Sequence, residues 1–335
     1  MKKDTKLFKM LAFSFVLVLF FASCHNLGSS FVGRSYRQGA LSITSWNIQT
    51  FFDTQTSGRE YSDFIGTKLW NEEVYVKRLE RLCQTMEALN SDLFIFQEIE
   101  NEAVLVDIVN YLKTQGNPAL AYSHAVFIPS RDDVLGCAIL SRYPIISCTT
   151  HQIDYRFEGK KQPDTRPLME VLVQAHFSKP LRVYTSHWKS KSGGAEQSEF
   201  WRDAQEALIA RRIRETGDQL YIFAADCNRD LSEFAQDGQY IVLDTEGQRL
   251  KTQSPYLFDA FADEDGTYFF QKEWNKIDHF FIGEALHILS FCIERKGLHV
   301  DKDGIPYRFS IWNGQGYSDH LPISCVVSEK MNKND

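Results

Sequence analysis

Several sequence signatures of metal and cofactor sites are missing from this chain of 335 residues. Its seven cysteines include no Cys-x-x-Cys pair, its nine histidines form no His-Glu-x-x-His motif, and no Walker glycine loop is present. Zinc chemistry and nucleoside-triphosphate chemistry therefore lose their usual sequence support. Any catalytic site must be built from other residue types.

Internal repeats, low-complexity tracts and an interior linker are also lacking, and 43% of the residues are hydrophobic. These features favour one large globular domain. An excess of positive charge is missing as well: the formal net charge is −7, and it is −10 without residues 1–23, which carry four lysines and one aspartate. This balance argues against a broadly basic nucleic-acid-coating protein, but it allows an enzyme that neutralises phosphate with a bound metal.

The longest N-terminal apolar run, residues 10–21, has about twelve residues and is too short to span a bilayer comfortably. It follows a basic stretch and precedes Ala22-Ser23-Cys24, so residues 1–23 are predicted to be a signal peptide. The small residues before Cys24 resemble a bacterial lipobox, although Phe21 replaces the usual leucine. We expect Cys24 to be acylated and residues 25–40 to form a flexible tether. A plain signal peptide with an incidental cysteine is the alternative.

Hydrophobic periodicity divides the rest of the chain into helices and strands. Residues 72–90, 101–115 and 195–214 are predicted to be helices, the first capped by Asn71, and Arg202 is expected to lie largely outward. Strands are predicted at 41–46, 93–96, 121–128, 135–141, 145–152, 167–175, 181–187, 220–225, 277–282, 286–293 and 320–327. Because helices separate some strands and not others, the sheets should be mixed.

Two cysteines flank the turn residues Tyr143-Pro144. A tight hairpin there would place Cys137 opposite Cys148. An exported protein could oxidise the pair. We favour a reduced cross-strand pair.

Polar side chains stand at the ends of the predicted apolar strands. Four strands carry them at the C-terminal end: Asn47, Glu98, His187, and Asp226 with Asn228. Two strands carry them at the N-terminal end: Asp278, and Asp319 with His320. If these two strands run antiparallel to the other four, all of these groups reach one edge of the sheets. Singly, each is more often a strand cap or a turn residue, but so many buried charges together are too costly to be structural.

Carboxylates and carboxamides without cysteine ligands suit a hard cation such as Mg²⁺ or Mn²⁺. The chemistry that fits is metal-assisted attack of water on a phosphate ester. The metal neutralises phosphoryl oxygens, an acid or an imidazole activates water, and a protonated histidine stabilises the developing charge.

These residues lie in segments that resemble the endonuclease/exonuclease/phosphatase superfamily. Seven blocks occur in the family's order: SWNIQTFF (45–52), FIFQEIEN (94–101), AILSRYPI (138–145), YTSHWKSKSGG (184–194), FAADCNRD (223–230), KIDHFFI (276–282) and SDHLPIS (318–324). The resemblance implies a domain over residues 41–328. It also implies the deoxyribonuclease-I-like fold, a four-layered α/β sandwich in which two packed mixed β-sheets are flanked by helices.

The resemblance assigns metal and water roles to part of this set. It implies that Glu98 binds the essential Mg²⁺, for which Mn²⁺ can substitute, with Asn47 beside it. Asp319 matches a metal-site or water-activating acid. Asp226 and Asn228 match the pair that orients the attacking water and contacts the phosphate. The identity of the general base stays open.

Further matches concern the histidines. His320 matches the phosphate-contacting histidine, and Asp278 the carboxylate that holds its tautomer. His187 matches a second histidine of nuclease and phosphodiesterase branches, on the leaving-group side. Candidate acidic partners of His187 are Asp132 and Asp133.

Three other positions bear on substrate binding. Lys189 could meet a substrate phosphate, with a solvated loop residue as the alternative. Arg166 is more simply structural or peripheral but could reach a backbone phosphate. Gln49 replaces an acid found in some repair nucleases of the family, which weakens a second-metal reading.

We expect an exported nuclease that cleaves DNA, or RNA, because the HWKSKSGG block looks most like bacterial members treated as nucleases. The alternatives are a sphingomyelinase-type lipid phosphodiesterase near a membrane, or an inositol phosphate phosphatase. No exposed aromatic hairpin for bilayer insertion is evident. A non-catalytic surface lipoprotein is a third reading, but no site acid or histidine is lost. The expected partners are nucleic acid and, through Cys24, a membrane of the bacterial envelope, with the chain a monomer.

Overall fold

The computed structural model describes residues 39–130, 133–153, 165–192, 194–245, 247–261 and 265–330. The expected signal peptide and Cys24 lie outside this range. The helices are α1 (Glu72–Leu89), α2 (Glu102–Thr114) and α3 (Ala195–Thr216). The strands are β1 (Ala40–Phe51), β2 (Leu93–Ile99), β3 (His124–Ile128), β4 (Gly136–Ser141), β5 (Ile145–His151), β6 (Leu168–Val173), β7 (Leu181–His187), β8 (Tyr221–Asp226), β9 (Ala235–Asp237), β10 (Tyr240–Thr245), β11 (Gln248–Gln253), β12 (Tyr268–Phe270), β13 (Glu273–Asn275), β14 (Asp278–Ile282), β15 (Leu286–Ile293) and β16 (Ile323–Glu329).

Two large mixed sheets form the centre of the molecule. One has six strands in the order β15-β16-β1-β2-β4-β3, and the other has eight in the order β5-β6-β7-β8-β14-β11-β10-β9. Apolar side chains of both sheets, such as Ile43 and Ile95 from one and Val183 and Ile222 from the other, share a single buried core. A sheet with apolar residues on both faces needs a further layer on its outer side.

Helices supply those outer layers. Leu79, Leu82 and Met86 of α1 pack with α2 on the outer face of the six-stranded sheet. Leu208 and Ile209 of α3 pack on the outer face of the eight-stranded sheet. The four-layered sandwich inferred from the sequence is therefore confirmed.

Local sequence explains where helix α1 begins and ends. Asn71 accepts a hydrogen bond from the Val74 amide, and Glu72 and Glu73 lie in the first turn, where the helix dipole favours acids. The helix ends at Asn90, whose backbone is left-handed. Both ends agree with the predicted helix to within a residue.

Other local expectations are wrong. Cys137 lies in β4 of the six-stranded sheet and Cys148 in β5 of the eight-stranded sheet, so the expected hairpin pairing is absent and both thiols are free. The chain changes sheets at the Tyr143-Pro144 turn. Arg202, expected outward, is fully buried in α3. Strand β1 extends past Asn47 to Phe51.

The strand directions bring the polar ends together. Strand β1 is parallel to β2 and antiparallel to β16, whereas β7 is parallel to β8 and β8 is antiparallel to β14. The carboxyl ends of β1, β2, β7 and β8 therefore lie at the same edge as the amino ends of β14 and β16. In the part of the chain that the structure describes, no helix is long and apolar enough to cross a membrane.

Candidate active site

A cavity of about 1120 Å³ opens at this edge of the two sheets. Most of the residues singled out from the sequence line it: Glu98, Arg166, His187, Asp226, Asn228, Asp319 and His320. A smaller cavity of about 270 Å³ shares Arg166 and His187 with it and adds Lys189. Asn47 and Asp278 lie behind the cavity wall and contact its lining residues. The predicted convergence of these strand ends is confirmed.

One buried carboxylate holds the imidazole of His320. The Nδ1 of His320 lies 2.9 Å from Asp278 Oδ2, and the Thr267 hydroxyl donates to the same oxygen at 2.6 Å. Hydrogen bonding at Nδ1 turns Nε2 toward Asp226 Oδ2, 3.8 Å away. The expected orienting contact of Asp278 is present in the structure.

Electrostatics give His320 a positive charge. Burial opposes protonation, but the carboxylates of Asp278 and Asp226 outweigh burial and raise the pKa of His320, so the imidazole is protonated at neutral pH. The Tyr268 ring lies against the imidazole, with ring centroids 4.8 Å apart. The backbone is fixed too, because Trp46 Nε1 donates to the His320 carbonyl at 2.9 Å.

Asp226 lies at the centre of the site. Its Oδ2 accepts a hydrogen bond from Asn47 Nδ2 at 2.9 Å and lies 3.3 Å from His187 Nε2. Its Oδ1 accepts a hydrogen bond from the backbone N–H of Asn228 at 2.9 Å. Burial raises the pKa of this carboxyl, and the His320 charge opposes the rise. Asp226 is thus poised to exchange a proton with its surroundings near neutral pH.

The second imidazole, His187, differs from the first in its charge. Burial, with the charges of Arg166 and His320, lowers the pKa of His187 well below its ordinary value, so the ring is neutral. Among the described residues its Nδ1 has no hydrogen-bond partner. The candidate partner Asp133 pairs instead with Arg166 at 2.6 Å, so that assignment is wrong. Asp132 lies outside the described residues.

Glu98 and Asn47 form the other half of the site. Glu98 Oε1 accepts from Asn47 Nδ2 at 3.1 Å, and Oε2 accepts from the Thr50 amide at 2.6 Å. The Gln49 amide donates to Asn47 Oδ1 at 3.0 Å. Only uncharged donors therefore contact the Glu98 carboxylate in these bonds, and its negative charge is left to face the cavity.

Asp319 joins this half from the loop that leads into β16. It is half-buried, and the Arg308 guanidinium lies 3.8 Å from its Oδ2. The neighbouring Ser318 hydroxyl donates to the Asn47 carbonyl at 2.6 Å, which ties the loop to β1. At Gly316, φ is +94° and an added Cβ would lie 2.0 Å from the Arg308 carbonyl, so only glycine fits this approach.

The donor set suits a divalent metal. Carboxylates of Glu98 and Asp319 and the carboxamide oxygen of Asn47 are hard oxygen ligands of the kind Mg²⁺ takes. A second grouping, Asp226, Asp278 and His320, also brings ligand atoms within 4.8 Å of one another. There Asp278 Oδ2 is already engaged by His320 Nδ1 and the Thr267 hydroxyl. The Glu98 side is the better cation site.

A buried arginine that was not singled out from the sequence holds the turn that carries Asn228. Arg229, next to Asn228, is 3% exposed and pairs with Glu199, Asp203 and Glu206 of α3. It anchors the turn in which Asn228 has a φ of +46°. The acids recur three and four residues apart on a predicted helix, but nothing in the sequence names the arginine they face.

Aromatic residues at the cavity rim were also missed. Strands β12 and β13 form a short hairpin on which Phe270 is 49% exposed and stacks on Tyr268, and Trp312 on the facing loop is 77% exposed. All three line the cavity. An exposed aromatic hairpin was not evident from the sequence, although the segment YFFQKEW was the available signal; whether the hairpin meets a bilayer is untested.

The fold and the converging acids and imidazoles define a deoxyribonuclease-I-like hydrolase. Residues 42–329 match the Endonuclease/Exonuclease/phosphatase family, and the chain belongs to this family. No curated protein sequence matches the chain.

Solved structures with the same fold span nearly the whole domain. TDP2 of D. rerio, complexed with a single strand DNA product, is 18% identical over 86% of this chain and 99% of that chain, with a TM-score of 0.53. A Bacteroides thetaiotaomicron endonuclease/exonuclease/phosphatase family protein is 14% identical over 88% of this chain and 100% of that chain, with a TM-score of 0.55. A mannosyl-6-phosphatase of the same species is 14% identical over 86% and 99%, with a TM-score of 0.53. At these identities the likeness concerns the fold.

Proposed function

We propose that this protein is an exported, Mg²⁺-dependent phosphodiesterase that hydrolyses nucleic acid, with DNA as the favoured substrate. One observation carries the proposal: the His320 imidazole, fixed by the buried carboxylate of Asp278, faces a cavity that is also lined by Asp226, Asn228 and Glu98. This combination of a fixed positive charge, a proton acceptor and a cation site matches the demands of phosphate-ester hydrolysis.

His320 is proposed to bind the phosphate that is attacked. Its protonated Nε2 can donate a hydrogen bond to a phosphoryl oxygen, while Asp278 at Nδ1 keeps the ring from turning. A charged donor held in place before the reaction stabilises charge that develops on that oxygen.

Asp226 and Asn228 are proposed to orient the attacking water. Asp226 Oδ1 accepts from the Asn228 backbone N–H, and Asn228 Nδ2 donates to the Trp188 carbonyl at 3.2 Å, so both side chains are held in place. A carboxylate whose pKa is raised by burial accepts a proton from water more readily than an ordinary surface aspartate. His187 lies on the other side of Asp226 Oδ2 and is neutral, so it can hydrogen-bond to the leaving oxygen.

Glu98, Asn47 and Asp319 are the residues that would hold Mg²⁺ or, in its place, Mn²⁺. The ion, when bound, neutralises phosphoryl oxygens and acts as a Lewis acid. The Thr50 amide and Asn47 Nδ2 hold the Glu98 carboxylate in a single orientation before any ligand arrives. Such preorganisation lowers the cost of binding.

Cationic side chains near His187 are proposed to contact phosphates beyond the scissile one. Arg166 lines both cavities, and Lys189 lines the smaller. The Lys189 backbone is fixed by bonds to Gln205 and Arg202 of α3, so its side chain projects from a rigid base. Cationic side chains beyond the scissile phosphate suit a substrate that carries several phosphates in a row. They therefore favour nucleic acid over a small phosphate monoester.

DNA is favoured because the D. rerio TDP2 structure of the same fold holds a single strand DNA product. Export and membrane attachment through Cys24 follow from the N-terminal sequence alone. They remain part of the proposal, as does the monomeric state.

A lipid phosphodiesterase is the second candidate, because Phe270 and Trp312 expose aromatic rings at the rim of the cavity. Exposed aromatic rings are suited to the interface of a membrane. A lipid anchor at Cys24 would hold the cavity near headgroups. The hairpin turn next to Phe270 is polar, however, with Gln271 and Lys272, which favours a soluble substrate.

The experiment is an assay of purified protein, with Mg²⁺ and with a chelator, on plasmid DNA, RNA, sphingomyelin vesicles and inositol phosphates. Metal-dependent cleavage of DNA that is lost in His320→Ala is the expected result. Turnover of sphingomyelin with intact DNA would replace the proposal with the second candidate. Turnover of inositol phosphates alone would make the protein a phosphatase, and no turnover at all would favour a binding lipoprotein.

A further inference from the structure

A buried arginine on α1 forms no ion pair among the residues that the structure describes. Arg78 is 1% exposed, and its guanidinium donates to three successive backbone carbonyls, those of Ile48 at 3.0 Å, Thr50 at 3.1 Å and Gln49. It lies over the rings of Phe309 and Phe51, 3.8 Å and 4.6 Å from their centroids. Burying a guanidinium without a carboxylate is costly, so it calls for a reason beyond packing.

The three carbonyls belong to a bulge, residues 48–50, that interrupts the pairing of β1 with β2. Two adjacent residues in it have left-handed backbones, Gln49 with φ +50° and Thr50 with φ +45°. Neither is glycine, and Thr50 is β-branched, for which this conformation is strongly disfavoured. Strained backbone of this kind persists only where surrounding contacts hold it.

The bulge forms the back of the proposed cation site. Its amides face the ligand side chains: the Thr50 N–H donates to Glu98 Oε2 at 2.6 Å, and the Gln49 N–H to Asn47 Oδ1 at 3.0 Å. Its carbonyls face the other way, toward Arg78. The guanidinium therefore fixes the outward direction of the carbonyls and, through the planar peptide groups, the inward direction of the amides.

The Gln49 side chain extends this arrangement to the loop that carries Asp319. Gln49 Nε2 donates to the Phe309 carbonyl at 3.2 Å, and the Phe309 amide donates to Gln49 Oε1 at 3.0 Å. The Phe309 ring is also the surface on which the guanidinium stacks. Arg78 thus contacts both segments that position the proposed metal ligands.

We propose that Arg78 is a positioning residue for the divalent metal: it holds the strained bulge so that Glu98 and Asn47 are preset for the cation. The inference rests on the proposed metal site. It assigns Arg78 no contact with substrate, and it predicts an effect on metal affinity that a purely structural arginine would not have.

The test measures Mn²⁺ binding directly, by the EPR signal of the free ion, without any substrate. Arg78→Met keeps the length of the side chain and removes its hydrogen bonds. It is expected to weaken Mn²⁺ binding by about 10- to 100-fold, the usual effect of losing a group that orients metal ligands. Arg78→Lys can still reach one carbonyl and is expected to give a smaller loss. It also serves if the methionine variant does not fold.

Arg142→Met is the matched control. Arg142 likewise donates to a backbone carbonyl, that of Leu120 at 3.3 Å, and lies 5.1 Å from a ring, that of Tyr122. It contacts the residues just before β2, whereas Glu98 is near the other end of that strand. This variant is expected to lose stability but to bind Mn²⁺ like the parent protein. Folded Arg78 variants with unchanged Mn²⁺ affinity would overturn the inference.

A double variant separates this inference from the metal site on which it rests. In a Glu98→Gln background, Arg78→Met is expected to cause a smaller further loss of Mn²⁺ binding than in the parent protein, because one of the two ligands that it presets is gone. An additional loss of full size would overturn the positioning role. If Glu98→Gln alone leaves Mn²⁺ binding unchanged, the proposed metal site itself is wrong.

Discussion

The two halves of the site hold their carboxylates in different ways. On the six-stranded sheet, Glu98 is held by uncharged donors, the Thr50 amide and Asn47 Nδ2. On the eight-stranded sheet, Asp226 and Asp278 face imidazoles, at 3.3 Å from His187 and 2.9 Å from His320. The same residue type therefore stands in two different electrostatic environments within one cavity.

This difference separates two tasks. A carboxylate that accepts hydrogen bonds only from neutral donors forms no ion pair and can attract a cation. The buried carboxylates beside the protonated His320 have their charge partly balanced. Asn47 links the halves, because its Nδ2 donates to both Glu98 and Asp226. In the proposed mechanism, Glu98 and Asn47 thus form a metal wall of the cavity. Asp226 and Asp278, with the imidazoles that they contact, form a proton wall.

Removing the charged imidazole should have the largest effect. His320→Ala is expected to lower kcat by roughly 10³-fold or more, within the range of a lost acid–base or charged group, while Mn²⁺ affinity stays unchanged. The measurement is the rate of bis(p-nitrophenyl) phosphate or plasmid hydrolysis beside Mn²⁺ EPR. His287→Ala, an exposed histidine of β15, is the control. A joint loss of rate and metal binding would show that the two walls are not separate.

Removing the negative charge of Glu98 should have the second-largest effect. Glu98→Gln keeps the shape of the side chain and removes its charge, so the Mg²⁺ concentration for half-maximal rate is expected to rise by about 10- to 100-fold. Saturating Mg²⁺ should restore part of the rate. Glu102→Gln, in the exposed first turn of α2, is the control. A rate loss that no concentration of Mg²⁺ relieves would contradict the assignment.

Lys189, in the smaller cavity beside His187, should matter less. Lys189→Met is expected to raise KM for DNA by about 10-fold, with kcat little changed, because one phosphate contact contributes about 1.4 kcal/mol. The slope of log KM against log salt should become smaller by roughly one. Lys251→Met, at an exposed ion pair on β11, is the control. An unchanged KM and slope would make Lys189 a solvated loop residue.

Substitution of the exposed aromatic residues at the cavity rim, Phe270 and Trp312, should have the smallest effect on hydrolysis of a soluble substrate. Phe270→Ser and Trp312→Ser are each expected to change hydrolysis of bis(p-nitrophenyl) phosphate by no more than about 2-fold, since exposed residues rarely contribute more than about 0.5 kcal/mol. Hydrolysis of sphingomyelin in vesicles is the comparison. If the parent protein hydrolyses that lipid and both variants lose the activity, Phe270 and Trp312 contact a membrane. The protein is then a lipid phosphodiesterase.

Much of the site could be predicted because polar residues at the ends of apolar strands are visible in a sequence. Asn47, Glu98, His187 and Asp226 each follow an apolar run, and strand direction then brings them to one edge. The seven ordered blocks added the fold, which the structure confirms. The roles of the individual residues stay predictions.

The buried arginines that hold the site residues in place could not be predicted. Arg78 and Arg229 look like ordinary surface arginines of a helix and a turn, yet both are buried. Burial of a charge depends on which elements meet around it, and those elements come from distant parts of the chain. Arg202 was misplaced for the same reason, since it is covered by the carbonyls of Lys189 and Ala195.

The sequence by itself determined which residue types stand at the strand ends and, through the ordered blocks, the family of the chain. The tertiary structure alone decided which atoms meet. Asn47 and Asp226 are 179 positions apart and Asn47 and Ser318 are 271 apart, yet each pair shares a hydrogen bond. Local propensities act over a few residues, whereas the first bond exists because the two sheets pack face to face, and the second because β16 pairs with β1 within one sheet. The proposed separation of a metal wall from a proton wall depends on that packing.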